Sequence, residues 1–204
     1  MVRSRAVRGP AVASLVAVLA VLPGCGGSRQ DAHEPEGTFT LSVLKASFPA
    51  RQSTAQHSTL RLQVRNTDDR ALPNVAVTIE TDPDVKGAAP TAFGQASSDT
   101  RLADPRQPVW IVDRQPTGGD SAYTNTWVFG SMSPGEVKEF AWGVTAVRPG
   151  TYTIHYAVSP GLNGKAKIAN GQKNTGSFDV TISSVPVPAR VNGKGQVVRG
   201  SAGG

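Results

Sequence analysis

The chain has 204 residues, with 21 Lys and Arg, 15 Asp and Glu, and a single Cys. A hydrophobic share of 38% supports one modest globular core and excludes a protein with many membrane spans. The single Cys excludes a disulfide framework and any metal or iron–sulfur site that is built from several thiolates.

The first 24 residues have the pattern of a secretory signal peptide. Residues 1–10 carry Arg3, Arg5 and Arg8 without an acid, and residues 11–22 are almost entirely apolar. A basic segment, a short apolar segment and small residues before a cleavage point are typical of such signals. The apolar run is too short to cross a bilayer, which takes about 20 residues. We therefore expect a leader that is removed rather than a membrane-spanning helix.

The segment ends with Leu22-Pro23-Gly24-Cys25. These residues resemble the bacterial lipobox, in which a Leu stands three positions before a required Cys and small residues fill the gap. The resemblance implies that a diacylglycerol is attached to Cys25, that the chain is cleaved before it, and that the new amino terminus is acylated. Two or more acyl chains anchor a protein stably, at about 0.8 kcal/mol per buried methylene. We expect a lipid-anchored protein on the extracytoplasmic side of the cell membrane.

Two polar segments are predicted to flank the folded body. Residues 25–37 contain Gly, Ser, Pro and charges, which predicts a flexible tether. Residues 186–204 are basic and rich in Gly and Pro, which predicts a mobile tail, with a small hairpin at Asn192-Gly193 as the alternative. Removal of the leader leaves 18 basic residues against 15 acidic ones. Such a weak excess gives no support for nucleic-acid binding, which needs a clustered basic face.

The body, residues 38–185, is predicted to consist of strands. Apolar residues recur at every second position, which buries one face of a strand and exposes the other, as in antiparallel sheets. The runs are Leu60, Leu62 and Val64; Val75, Val77 and Ile79; Phe140, Trp142 and Val144; Tyr152, Ile154, Tyr156 and Val158; and Phe178, Val180 and Ile182.

Breaks in this alternation predict the connections between strands. The apolar phase slips by one residue within Phe39–Phe48, which indicates a bulge or a crossing between sheets. The pairs Pro134-Gly135, Pro149-Gly150 and Pro160-Gly161 predict type II turns. About eight strands at this spacing predict one all-β domain, an immunoglobulin-like antiparallel β-sandwich of about seven or eight strands. A long insertion is expected at about residues 81–108.

Part of the body resembles a known family. Leu62-Gln63-Val64-Arg65-Asn66-Thr67, the following Leu72-Pro73-Asn74-Val75-Ala76-Val77, and Pro149-Gly150-Thr151-Tyr152-Thr153-Ile154 are similar to bacterial surface Ig-like modules of the CARDB type. The similarity covers about 40 residues. It implies an adhesive, spacer or binding domain rather than a catalyst.

The segment from residue 88 to residue 132 holds the candidate binding residues. Trp110, Tyr123 and Trp127 lie there among Gly, Pro and Asp, and aromatic side chains on loops suit the recognition of protein or glycan surfaces. The alternative is that Trp110 and Trp127 fill the sandwich core. An envelope hydrolase that uses acids of this segment is a second hypothesis; the candidates are Asp99, Asp104, Asp113 and Asp120.

The remaining chemistry favours binding over catalysis. His33 is expected in the tether, His57 in a loop and His155 on the outward face of a strand, and their spacing predicts no zinc site. We therefore expect no catalytic residue, no metal and no cofactor. The leading interpretation is a non-catalytic binding or spacer domain whose partner is an envelope protein or a cell-wall polymer. An accessory subunit of a surface complex is a further alternative.

Overall fold

The computed structural model describes residues 34–82, 91–95 and 108–199. Within these ranges the chain forms strands, turns and loops, without a helix. The strands are β1 (Gly37–Phe39), β2 (Leu41–Ser47), β3 (Arg51–Ser53), β4 (His57–Asn66), β5 (Ala76–Thr81), β6 (Phe93–Gln95), β7 (Trp110–Arg114), β8 (Asp120–Tyr123), β9 (Thr126–Val128), β10 (Val137–Ala146), β11 (Gly150–Ser159), β12 (Ala166–Ile168), β13 (Thr175–Ser183), β14 (Ala189–Val191) and β15 (Val197–Arg199).

Two sheets form the predicted sandwich, which confirms an all-β, immunoglobulin-like fold. The five-stranded sheet has the order β2-β4-β10-β7-β6, and the six-stranded sheet has the order β3-β13-β11-β5-β9-β8. Eight of the described strands have four residues or more, and the others are three-residue strands that the alternation does not reveal. Most pairs are antiparallel, but the edge pairs β6–β7 and β3–β13 are parallel, so both sheets are mixed at one edge; β1 and β12 form a separate two-stranded parallel sheet.

The core lies between the two sheets. Each of the five alternating runs turns its apolar side chains inward, where they meet those of the opposite sheet, as in aligned sandwiches. Trp110, Phe140 and Trp142 are the largest side chains that are completely buried. Edge-to-face ring contacts join Trp110 to Phe48 and Phe93 at centroid distances of 5.5 and 6.1 Å.

The phase slip predicted within Phe39–Phe48 is present in both expected forms. The β2–β4 register shifts between Val43 and Lys45, so Leu44 is an extra residue in the edge strand. Beyond the end of β2 the chain crosses to the other sheet, where β3 pairs with β13. Val43 pairs with Val64 and Ala46 with Leu62, so the extra residue keeps the apolar side chains before and after Leu44 on the core face, while Leu44 itself is exposed.

The amino-terminal boundary of the body differs from the predicted one. Glu34, placed in the tether by its sequence context, is only 8% exposed, and its carboxylate accepts hydrogen bonds from the amides of Leu162, Asn163 and Ala166 at 2.7, 3.3 and 3.2 Å. The following β1 pairs with β12. Residues 34–37, predicted as part of the tether, therefore belong to the folded body, because a buried carboxylate and a strand pair hold residues 34–39.

The buried Glu34 carboxylate also determines the conformation of the predicted turn at Pro160-Gly161. Gly135 has φ +73°, as a type II turn requires, whereas Gly161 has no positive φ. A side chain at position 161 would meet the Glu34 carboxylate, since an added Cβ lies only 2.0 Å from Oε1. Glycine stands at 161 to admit Glu34, so the type II prediction fails there.

The carboxyl-terminal segment contains the small hairpin that was one alternative for residues 186–204. The amide of Val187 donates to the carbonyl of Thr54, which holds the start of the segment against the body. Farther on, β14 pairs with β15 across the turn at residues 192–196.

Candidate functional site

The three aromatic candidates do not share a surface. Trp110 is fully buried and Trp127 is 2% exposed, whereas Tyr123 is 56% exposed. The indole nitrogens of the two tryptophans donate to Gln52 and Gln115, each at 2.8 Å. The structure therefore places both tryptophans in the core, where they cannot contact a partner. Only Tyr123 is left of the predicted surface.

The two described acids among the four candidates lie in different sheets. Asp99 and Asp104 lie outside the described residues, as does Cys25. Asp113 is in β7 of the five-stranded sheet, and Asp120 is in β8 of the other sheet. Asp113 and Asp120 are therefore not neighbours within one sheet.

Asp113 joins a polar cluster with two other side chains. His57, expected in a loop, is the first residue of β4, and its Nδ1 lies 2.7 Å from the Asp113 carboxylate and 2.8 Å from the Thr145 hydroxyl. The Thr145 hydroxyl also donates to the same carboxylate oxygen at 2.5 Å. In a catalytic nucleophile–histidine–carboxylate relay, one nitrogen of the histidine ring contacts the nucleophile and the other contacts the carboxylate. Here both partners meet one nitrogen, so the cluster has no relay geometry.

The outer face of the six-stranded sheet is the best candidate for a binding surface. Its central strands β5, β11 and β13 turn hydroxyl and charged side chains outward in adjacent rows. We call this surface the hydroxyl face; its residues are Thr78, Glu80, Thr151, Thr153, His155, Thr175, Ser177, Asp179 and Thr181.

A depression of about 410 Å³ lies within the hydroxyl face. Ala157 contributes only a methyl group between Thr78 and Thr175, its register partners on the two flanking strands. Gly176 lines the same depression, and the Tyr156 ring lies where a side chain at 176 would stand. The short Ala157 side chain, flanked by longer side chains on both neighbouring strands, therefore creates the concavity.

One histidine stands at the rim of this depression. The Nε2 atom of His155 is 2.8 Å from Asp82 Oδ1, and His155 is the register partner of both Glu80 and Ser177. Both members of the pair are about half exposed. Solvent weakens such an exposed pair, so its main effect is to orient the ring.

The charge of the hydroxyl face restricts the ligands it can take. Glu80, Asp82 and Asp179 are acidic, and Arg51 is the basic residue at the β3 edge. The Asp179 carboxylate accepts a hydrogen bond from Thr153 at 2.9 Å. Carboxylates and hydroxyls together can bind hydroxyl or ammonium groups and repel anions.

Tyr123 extends this surface at the far edge of the sheet. It pairs with Thr126, whose hydroxyl is 3.0 Å from that of Thr78 beside the depression. Strands lie about 4.8 Å apart, so about 19 Å separate Tyr123 from Thr175, four strands away.

In the core beneath the depression, burial raises the pKa of the Tyr156 phenol above its usual value of 10.0, so this phenol is protonated at neutral pH.

The described residues offer no metal centre. No group of three or more His, Cys, Asp or Glu side chains within residues 34–82, 91–95 and 108–199 is placed to hold a metal ion. Across the same ranges there is no helix with the length and apolar character needed to cross a bilayer.

Sequence reasoning missed the pairing of His155 with Asp82, which lies 73 residues away in the chain. A partial signal is present: the alternation of Tyr152, Ile154 and Tyr156 places His155 outward, as the sequence predicts. The neighbouring strand and its register, which bring Asp82 and Glu80 to the ring, cannot be obtained from the pattern.

Comparisons with known proteins give similarity at the level of fold. No family model matches the chain, and no curated protein sequence matches it. Among solved structures, the chain is similar to the CARDB domain of the PF1109 protein from Pyrococcus furiosus, crystallised in complex with di-metal ions. That match has a TM-score of 0.45 and 16% identity over 72% of this chain and 96% of that one.

Two further similarities are to bacterial proteins. A cohesin module from a Clostridium perfringens family 33 glycoside hydrolase matches with a TM-score of 0.42 and 7% identity, over 72% of this chain and 100% of that one. Native alpha-2-macroglobulin from Escherichia coli matches with a TM-score of 0.39 and 14% identity, over 74% and 18%. All three scores are low, so the description of the fold rests on the strand order and packing of the chain itself.

Proposed function

We propose that this chain is a lipid-anchored protein of the bacterial cell envelope. Its Ig-like sandwich, which we propose to be of the CARDB type, would act on the extracytoplasmic side as a non-catalytic binding or spacer domain. The observation that carries the proposal is the position of Cys25, the sole Cys of the chain, directly after Leu22-Pro23-Gly24 at the end of an apolar segment.

The start of the folded body supports an anchored arrangement. Eight residues separate Cys25 from Glu34, where the buried carboxylate begins the domain. The nine residue steps from Cys25 to Glu34 reach at most about 32 Å when fully extended. An anchor at Cys25 would therefore hold the sandwich close to the membrane surface while leaving its faces accessible.

The hydroxyl face supports a binding role. Its hydroxyls and carboxylates match the hydroxyl groups of a cell-wall polymer or the polar surface of an envelope protein. Its acidic residues repel anionic ligands. The polar clusters at His57 and His155 favour a non-catalytic role, because neither ring links a nucleophile to an acid through its two nitrogens.

The experiment compares the full precursor with its Cys25→Ser variant in a bacterial host that is fed a labelled fatty acid. We expect the label and membrane sedimentation in the native chain and the loss of both in Cys25→Ser. The matched control is Gly27→Ser, which introduces the same hydroxyl two positions away and keeps the thiol. An unlabelled native chain, or a Cys25→Ser variant that keeps its label, contradicts the proposal.

The same cells test the binding role. After crosslinking in the cell, the native chain is recovered and its adducts are identified by mass spectrometry. One dominant protein adduct or recovered wall fragments support a binding domain. Adducts with lipid alone support a spacer.

A further inference from the structure

The outer face of the five-stranded sheet has the opposite charge to the hydroxyl face. We call it the basic face; its outward charged residues are Lys45, His57, Arg61, Arg65, Asp113, Arg114 and Glu139. Four permanent cations stand against two acids. The two broad faces of the sandwich therefore carry net charges of opposite sign.

Both acids of the basic face are already paired. Glu139 lies 2.8 Å from Arg61, and Asp113 is bound by His57 and Thr145. Lys45, Arg65 and Arg114 have no ion-pair partner among the residues that the structure describes. Three exposed cations are therefore available to an anionic surface.

Small residues on the central strand open this face. Gly143 of β10 lies beneath Arg114, whose side chain passes within 3.2 Å of the position of an added Cβ. Ala141, the register partner of Arg61, adds only a methyl group. A flat array of this kind lets long basic side chains lie over the sheet and reach a planar surface.

Two exposed apolar side chains accompany the cations. Leu44, at the β2 bulge, is 51% exposed, and Val137, the register partner of Arg65, is 46% exposed. Basic and apolar side chains on one surface are the combination by which peripheral proteins contact a bilayer.

This corner also receives the chain from the anchor. Ser42, one residue into β2, pairs with Arg65, and Arg65 pairs with Val137 on its other side. The strand β2 begins two residues after β1, and the body itself begins at Glu34. A lipid anchor at Cys25, within about 32 Å of Glu34, keeps the bilayer at a high effective concentration for this corner.

We propose that the basic face lies on the anionic surface of the bilayer that carries the anchor. The inference rests on the proposed lipid anchoring. The hydroxyl face, on the opposite layer and rich in acids, then points away from the membrane and toward its ligand. The acids of the adjoining loops are partly offset, because Asp68 and Asp69 lie 3.0 and 3.7 Å from Arg70, and Glu136 lies 3.5 Å from Lys138 at the start of β10.

The test uses the mature chain from residue 25 with Cys25→Ser, so that no lipid contributes, and vesicles of phosphatidylcholine with or without about 30 mol% phosphatidylglycerol. Each basic residue near such a surface contributes about fivefold to the partition coefficient. The double variant that carries Arg65→Gln and Arg114→Gln should therefore partition onto the anionic vesicles about 30-fold less than the unsubstituted chain. Binding should vanish on neutral vesicles and at about 0.5 M salt, where charges are screened within a few ångströms.

The matched control is Arg190→Gln with Lys194→Gln, which removes the same charge from the carboxyl-terminal hairpin. Equal losses in the two double variants overturn the proposal, because net charge alone would then explain binding. Partitioning that is unaffected by Arg65→Gln and Arg114→Gln, or dimerisation that depends on these residues, also overturns it. Since the chain here carries no lipid, these outcomes are independent of whether Cys25 is acylated in the cell.

Discussion

The burial of Trp110 gives the sharpest test of the sandwich core. The ring is fully buried against Phe48, Phe93 and Tyr152, and its nitrogen donates to the Gln52 side chain at 2.8 Å. Truncating a buried Trp to Ala costs about 4 kcal/mol, because contacts are lost and a cavity is left. For a domain of this size the thermal midpoint of Trp110→Ala should therefore fall by about 8–16 °C.

A double-mutant cycle isolates the hydrogen bond. Trp110→Phe leaves the Gln52 carbonyl without a donor, and Gln52→Leu leaves the indole without an acceptor, so each should cost about 1–3 kcal/mol. The double variant removes both polar groups and should cost less than the sum by about 1–2 kcal/mol.

Urea unfolding monitored by the fluorescence of Trp127 and Trp142 measures these changes, and Tyr123→Ala is the exposed control. We expect Tyr123→Ala to stay within about 0.5 kcal/mol of the native chain. If Trp110→Ala also stays within that range, the ring is not in the core. If the costs in the cycle simply add, the bond to Gln52 carries no energy.

Two further predictions concern the ends and the loops. Glu34→Ala should lower the free energy of unfolding by about 2–4 kcal/mol, because three amides lose a charged acceptor. Removal of residues 26–33, the control, should leave the free energy of unfolding unchanged. Urea unfolding of the two variants and the native chain measures both effects. The Arg70 guanidinium, which hydrogen-bonds to Asp68, holds the pKa of that carboxyl well below its usual range. Ionised Asp68 therefore contributes stability that is full above about pH 4 and is lost as the pH falls toward the depressed pKa. Unfolding measured at several pH values should show a shallower acid decline in Asp68→Asn, and an unchanged decline would refute the role of this pair.

The strands that could be predicted are those with one buried and one exposed face. In β4, β10 and β11 the alternation is strict because every second side chain enters the core, so type and approximate bounds follow from the sequence. The phase slip within β2 is apparent for the same reason, although the alternation alone does not assign the extra residue to Leu44. Side-chain order along a strand reports burial, however, and says nothing about which strand lies beside it.

The features that could not be predicted depend on distant pairing. Glu34 looks like a tether residue until the amides of Leu162 and Ala166, more than 120 positions away, are brought to its carboxylate. Trp110 begins a short buried strand without clean alternation, so its aromatic character alone was compatible with a surface or a core. His155 acquires its site from Asp82 through the register of β11 with β5.

The parallel pairs at the ends of the body have a mechanical consequence. Near the amino terminus β1 is clamped beside β12, and near the carboxyl terminus β13 is clamped beside β3, with additional bonds from Thr181 to Ala50 and from Thr54 to Ser183. A force applied along these strands acts perpendicular to their hydrogen bonds. The bonds of each clamp are then sheared together instead of being unzipped one at a time. Because forced unfolding is governed by the unfolding barrier, such clamps let a tethered domain bear load without opening.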